Sequence, residues 1–153
     1  MAAGDITWVY RNPTELAWSS GGPQDLADNS FSGLSDELNV SALDAIDLLV
    51  GVKFTPSASP GAGGFVRLWA ASSLDGTNYP VNEENYLLLG VAVQATDDQA
   101  HYSPQFSVAE AFGGVLPPKL KIAVENRTGG ALADVADANE AYYQAVYANV
   151  TPG

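Results

Sequence analysis

Residues 104–150 constrain this chain more than any other stretch. In residues 119–126 (KLKIAVEN), Leu120, Ile122 and Val124 point one way, and Lys119, Lys121, Ala123 and Glu125 the other. A period of two is that of a half-buried strand. Residues 127–130 (RTGG) follow, and glycine turns a chain at little steric cost. Residues 142–150 return as a second strand, with Tyr142, Gln144, Val146, Ala148 and Val150 opposite Tyr143, Ala145, Tyr147 and Asn149. Two strands patterned this way need a sheet with one face covered.

The same reading extends along the chain. Residues 5–10 (DITWVY) predict a strand with Ile6, Trp8 and Tyr10 on one side. Residues 39–55 predict another, with Ile46, Leu48, Val50, Val52 and Phe54 on one face. Residues 65–71 (FVRLWAA) are apolar on both faces except Arg67, which suits a central strand and puts Trp69 in the core. Residues 85–95 form a further strand, and residues 106–112 a short strand or a single turn. Residues 57–64, 74–80 and 96–105 read as loops. A helical period fits residues 35–49 poorly, because Val40, Ile46 and Val50 favour a strand. About seven to nine strands at wide spacing give an all-β expectation: an antiparallel β-sandwich, jelly-roll-like.

Residues 11–37 break the pattern. They are rich in Pro, Gly, Ser, Asn and Asp, with isolated Leu16, Trp18, Leu26, Phe31 and Leu34. A structureless loop of this length is unusual inside a domain. Two readings fit: an irregular arm laid along a neighbouring subunit, or short edge strands. The expected organisation is a first strand and extended N-terminal arm over residues 1–37, then a β-sandwich domain over residues 38–153.

Composition narrows the function classes. At 153 residues the chain is expected to be one globular unit burying roughly two-thirds of its surface. Its 46% hydrophobic content can supply a core, and with no cysteine it has no thiolate metal site or disulfide framework. Eighteen acidic and six basic residues give a net charge of −12. Binding phosphates needs a positive face, so no nucleic-acid partner is expected. No apolar run is long enough for a membrane span, and residues 1–13 lack the basic start and apolar core of a signal peptide.

Catalytic chemistry is sparsely represented. The single histidine, His101, has Asp97, Asp98 and Ser103 nearby in sequence but no nucleophile elbow. With so many carboxylates, no pair stands out as a glycosidase acid and base. No enzyme activity, cofactor or metal is expected. Asp134, Asp137 and Glu140 form an acidic loop that matches no EF-hand spacing and reads as solvated charge. Asn39, Asn126 and Asn149 each open a glycosylation-type triplet, read as chance without a secretory signal. The aromatic and apolar residues are more informative. Leu16, Trp18, Leu26 and Phe31 on the arm, with Tyr143 and Tyr147 on the last strand, are the candidate interface residues. Tyr79 and Tyr102, on turns, are the candidate glycan contacts under an alternative reading.

Residues 106–117 (FSVAEAFGGVLP), 121–132 (KIAVENRTGGAL) and 143–147 (YQAVY), with residues 73–79 (SLDGTNY) and 89–91 (LGV), resemble small virion proteins of tailed bacteriophages. The resemblance covers residues 43–150 and leaves the arm without a counterpart. It implies a non-enzymatic structural component of the virion, made in the host cytoplasm. The first expectation is a capsid decoration (cement) protein, a homotrimer partnered with the major capsid protein or other virion proteins. The alternative is a tail or baseplate appendage that binds a host surface glycan.

Overall fold

The computed structural model describes residues 5–60, 63–73, 75–93 and 97–151, the side chains of Val93 and Thr151 excepted. The strands are β1 (Asp5–Tyr10), β2 (Thr14–Glu15), β3 (Ser30–Phe31), β4 (Leu38–Asn39), β5 (Asp47–Phe54), β6 (Phe65–Ser72), β7 (Leu87–Val93), β8 (His101–Tyr102), β9 (Phe106–Ser107), β10 (Lys119–Arg127) and β11 (Glu140–Thr151). Two single helical turns, α1 (Val40–Leu43) and α2 (Val108–Ala111), and a 3₁₀ turn at Glu83–Asn85 interrupt them.

The strands form two antiparallel sheets. One runs β1-β11-β5-β8, with β2 on β11 and β9 on β5. The other runs β3-β10-β6-β7, with β4 on β10. Pairs β1/β2, β8/β9 and β3/β4 each act as one broken strand along a neighbour. Every connection between successive strand positions then crosses between the sheets, except β6 to β7. That is jelly-roll topology, and the all-β sandwich expected from the alternation is the fold.

The core lies between the sheets. Leu48, Val50, Val52 and Phe54 of β5 face Val66, Leu68 and Ala70 of β6 and Leu120, Ile122 and Val124 of β10. On β11 the inward set is Ala141, Tyr143, Ala145 and Tyr147. A close approach fixes β7 against the opposite sheet. The Phe106 ring covers Gly90 so tightly that a Cβ there would lie 2.2 Å from ring carbons.

Several local expectations change. Residues 39–55 are not one strand: the Asn39 carboxamide accepts from Ala42 N at 3.2 Å and caps α1. Asp44 leaves that turn at φ 52°, so Ile46 falls outside the inward face and is exposed. The strand expected over residues 85–95 begins at Leu87, and residues 94 and 95 lie outside the described residues. Residues 96–105 hold β8, because His101 and Tyr102 pair with Phe54 and Lys53. Trp69 is outward and half-buried, its Nε1 donating to the buried Glu125 carboxylate at 2.9 Å.

Of the two readings of residues 11–37 the structure has the short strands, β2 and β3, and the segment wraps its own sandwich. Leu16 N donates to Ala141 O, and Leu16 and Leu26 are buried in the core at 3% and 8% exposure. Two serines substitute for a regular strand along β10. Ser32 N donates to Val124 O while Ser32 Oγ accepts from Val124 N; Ser35 does the same with Ile122. Left free, the segment would expose both leucines and orphan these β10 amides. Residues on both sides of position 37 therefore pair with β10, the earlier ones through β3 and the later ones through β4.

Candidate interaction surfaces

The first surface comes from β1 and the end of β11. Cross-strand partners share a face, and β1 pairs Ile6, Trp8 and Tyr10 with Val150, Ala148 and Val146. This is the face of β11 that points away from the second sheet. Ile6, Trp8, Tyr10 and Val150 are 62%, 58%, 59% and 59% exposed. The sequence alternation was correctly a strand signal, but its apolar side faces solvent. Clustered exposed apolar side chains of this kind mark interaction sites.

The β1 backbone is also open. Arg11 N donates to Ala145 O at 3.0 Å. Alternate residues of an antiparallel strand bond the same neighbour, so residues 5, 7 and 9 face β11. The N–H and C=O groups of Ile6, Trp8 and Tyr10 point along the free edge. Among the described residues no backbone group bonds to that edge. No charge, proline or bulge interrupts it between Asp5 and Arg11, the devices that ordinarily blunt an edge.

A second surface is a groove of about 380 Å³ on the outer face of β5 and β11. Gly51 forms its floor, where a Cβ would meet Ser103 Oγ at 3.3 Å. Tyr102, 74% exposed, stands with Tyr142 and Pro13 along its walls. At one end Lys53 Nζ lies 3.1 Å from Glu140 Oε2, and the Tyr142 hydroxyl donates to the same oxygen at 2.6 Å. The hydrogen bond from Tyr142, then Lys53, holds the Glu140 carboxyl below its ordinary 4.5 against a smaller opposing effect of burial. The Tyr142 hydroxyl, bonded to that carboxylate, is pushed up to about 12.

These shifts set a pH dependence. Glu37 is likewise lowered, by the Tyr79 hydroxyl and then Lys119, and Asp75 by the amide of Asn78 and its neighbours. A depressed carboxyl binds fewer protons folded than unfolded, so its contribution is present above the unfolded value and lost as pH falls through the folded one. Urea titrations should therefore show stability declining below the ordinary values of 3.8 and 4.5. Tyr142 has the opposite sign: its contribution should be lost as pH rises from 10.0 towards about 12. Tyr142→Phe should remove the Tyr142 share of the alkaline limb and the Glu140 share of the acid one, leaving the shares of Glu37 and Asp75; two unchanged limbs would contradict the assignment.

The expected site residues scatter. Trp18 packs on the core with Nε1 donating to Gly33 O at 3.0 Å, and Phe31 sits between Trp69 and Tyr86 at 5.9 and 6.2 Å. Tyr143 and Tyr147 face inward, with the Arg11 guanidinium 4.7 Å from the Tyr147 ring. With Leu16 and Leu26 in the core, none of the six expected interface residues belongs to the exposed ribbon. Tyr79 and Tyr102 lie on opposite sides of the sandwich. Tyr79 donates to Glu37 and packs under Lys121 of β10, whereas Tyr102 borders β5.

Asp134 and Asp137 are exposed while Glu140 turns to Lys53 and Tyr142, and no metal-holding group of three or more His, Cys, Asp or Glu occurs among the described residues. His101 stacks on Phe54 at 5.5 Å, with Nε2 2.8 Å from Asp97 Oδ1 but out of line for a hydrogen bond. Ser103 Oγ bonds Val52 N and Pro104 O. Asn126 is fully buried and bonded within the chain.

No family model and no curated protein sequence matches this chain. Among solved structures it is similar to a chain of Desmodium yellow mottle tymovirus, at 9% identity and a TM-score of 0.36, covering 98% of this chain and 90% of that one. It is also similar to a chain of the Kashmir bee virus empty particle at acidic pH, at 11% identity and 0.33, covering 95% and 93%. A third likeness is the C-terminal domain of a chitobiase from Bacteroides fragilis, at 16% identity and 0.31, covering 95% of each chain. None is close enough to assign a family.

Proposed function

We propose that this chain is a structural protein of a tailed-bacteriophage virion, and that it serves as a capsid decoration (cement) protein seated on the major capsid protein. The observation that carries this reading is the outward apolar face of β1, where Ile6, Trp8 and Tyr10 stand exposed. A clustered apolar face of this kind suits docking on another protein surface. The resemblance of residues 43–150 to small phage virion proteins supports the same class, and jelly rolls recur in capsid domains. A net charge of −12 keeps unassembled copies soluble in the host cytoplasm. Binding the assembled shell in preference to its dissociated parts then stabilises the shell by linkage.

Copy number in purified virions tests the location. A count on the scale of the shell's own subunits, with loss of shell stability when the protein is omitted, is expected. A count on the scale of the tail would overturn the capsid assignment. That outcome would favour the second reading, a tail or baseplate appendage binding a host surface glycan, which rests on the groove with Tyr102 and Tyr142. On that reading Tyr102→Ala abolishes binding to host polysaccharide while Tyr79→Ala, on the opposite side, does not.

A further inference from the structure

We infer that the free edge of β1 pairs with β1 of a second copy of this chain across a two-fold axis at Trp8, so that the β1 sheets of two protomers join into one. This inference does not depend on a virion role. It rests on the backbone geometry and on where the charges fall.

Within β1, Ile6, Trp8 and Tyr10 present the bonding groups on the free edge, as fixed by the Arg11 to Ala145 hydrogen bond. An incoming antiparallel strand must meet them with residues that also face outward. For two copies of β1 the register that uses all three sets Trp8 against Trp8 of the partner subunit. Ile6 then lies opposite Tyr10 of the partner subunit, and Tyr10 opposite Ile6 of the partner subunit, each pair exchanging two hydrogen bonds.

The charges agree with this register. Asp5 and Arg11 bracket an uncharged stretch, ITWVY. With Trp8 at the axis, Asp5 falls opposite Arg11 of the partner subunit, and symmetry repeats the pair. Sliding either way by two residues loses a backbone pair and both charge pairs. The Arg11 side chain already lies over Tyr147, on the face Asp5 shares. On a chain carrying −12, this edge also brings together little like charge. Ile6 and Tyr10 would become an apolar cross-strand pair on the solvent face, of the kind that stabilises sheets. A six-residue edge is a small interface, below about 1,200 Å² in total, so the dimer should dissociate on dilution.

Sedimentation and light scattering of the full chain over a dilution series provide the first readout. A reversible monomer–dimer equilibrium is expected; monomer throughout, or a trimer, would overturn the inference. Asp5→Arg and Arg11→Asp should each weaken the dimer by about tenfold, because each sets like charges against one another twice. Mixing the two variants should restore association, since each then meets its opposite; failure of the mixture to associate rejects this register. Both positions are exposed, and thermal unfolding checks that each variant folds.

The absence of native cysteine allows a second readout. Trp8→Cys should form an intermolecular disulfide on oxidation, because hydrogen-bonded partners sit about 5.5 Å apart at Cα, within disulfide reach. Thr7→Cys faces Val9 of the partner subunit and should not. Equal cross-linking of the two would overturn the register.

Discussion

Asn126→Ala should lower the free energy of unfolding by about 3–5 kcal/mol, since it deletes four buried hydrogen bonds worth about 0.5–1.5 kcal/mol each and leaves the Thr128 amide unpaired, while Leu26 O and Gly130 O keep Leu132 N and Thr128 Oγ1. The Asn126 side chain is fully buried at the end of β10. Its Nδ2 donates to Leu26 O at 2.8 Å and to Gly130 O at 2.7 Å, and its Oδ1 accepts from Thr128 N and Thr128 Oγ1. One carboxamide thus ties the wrapped segment around Leu26 to the turn that ends β10. Equilibrium urea denaturation measures the loss. A change below about 1 kcal/mol, the net worth of one ordinary hydrogen bond, would show that water replaces these contacts.

Phe54→Ala should cost about 3–5 kcal/mol for a different reason: it removes a buried ring and leaves a cavity. Phe54 is 1% exposed at the end of β5, in the core and against His101. At about 2–4 °C per kcal/mol for a domain of this size, the melting midpoint should fall by roughly 6–20 °C. Phe54→Leu keeps most of the volume and should cost much less. Equal effects from the two would mean that the site collapses around the smaller side chain, against the close packing argued above.

The strands with a strict period of two were legible because alternation reflects a local property, the opposite direction of successive side chains. β5, β10 and β11 follow from it; β6 was read instead from a run apolar on both faces, and together they give the sandwich. Residues 11–37 were legible only as two open readings, an arm or short edge strands, because their pairing is not periodic. Ser32 and Ser35 bond β10 through side-chain hydroxyls three residues apart, and serine in a Gly- and Asp-rich stretch reads equally well as loop. Ser32, Ser35 and Asn126 were visible in the sequence, but each acquires its meaning from a partner 92, 87 or 100 positions away.

The interface residues show the same division. Tyr143 and Tyr147 were correctly placed on one face of the last strand, and the alternation of Ile6, Trp8 and Tyr10 was equally clear. Period alone says that two faces differ; it does not say which one meets the other sheet. The sequence by itself determined an acidic, cysteine-free, all-β chain and the parity of its main strands. Only the tertiary structure decided which parity is covered, because burial depends on the neighbours a strand acquires. β11 at one side of β1, and no strand among the described residues at the other, turns an ordinary apolar strand into an open edge.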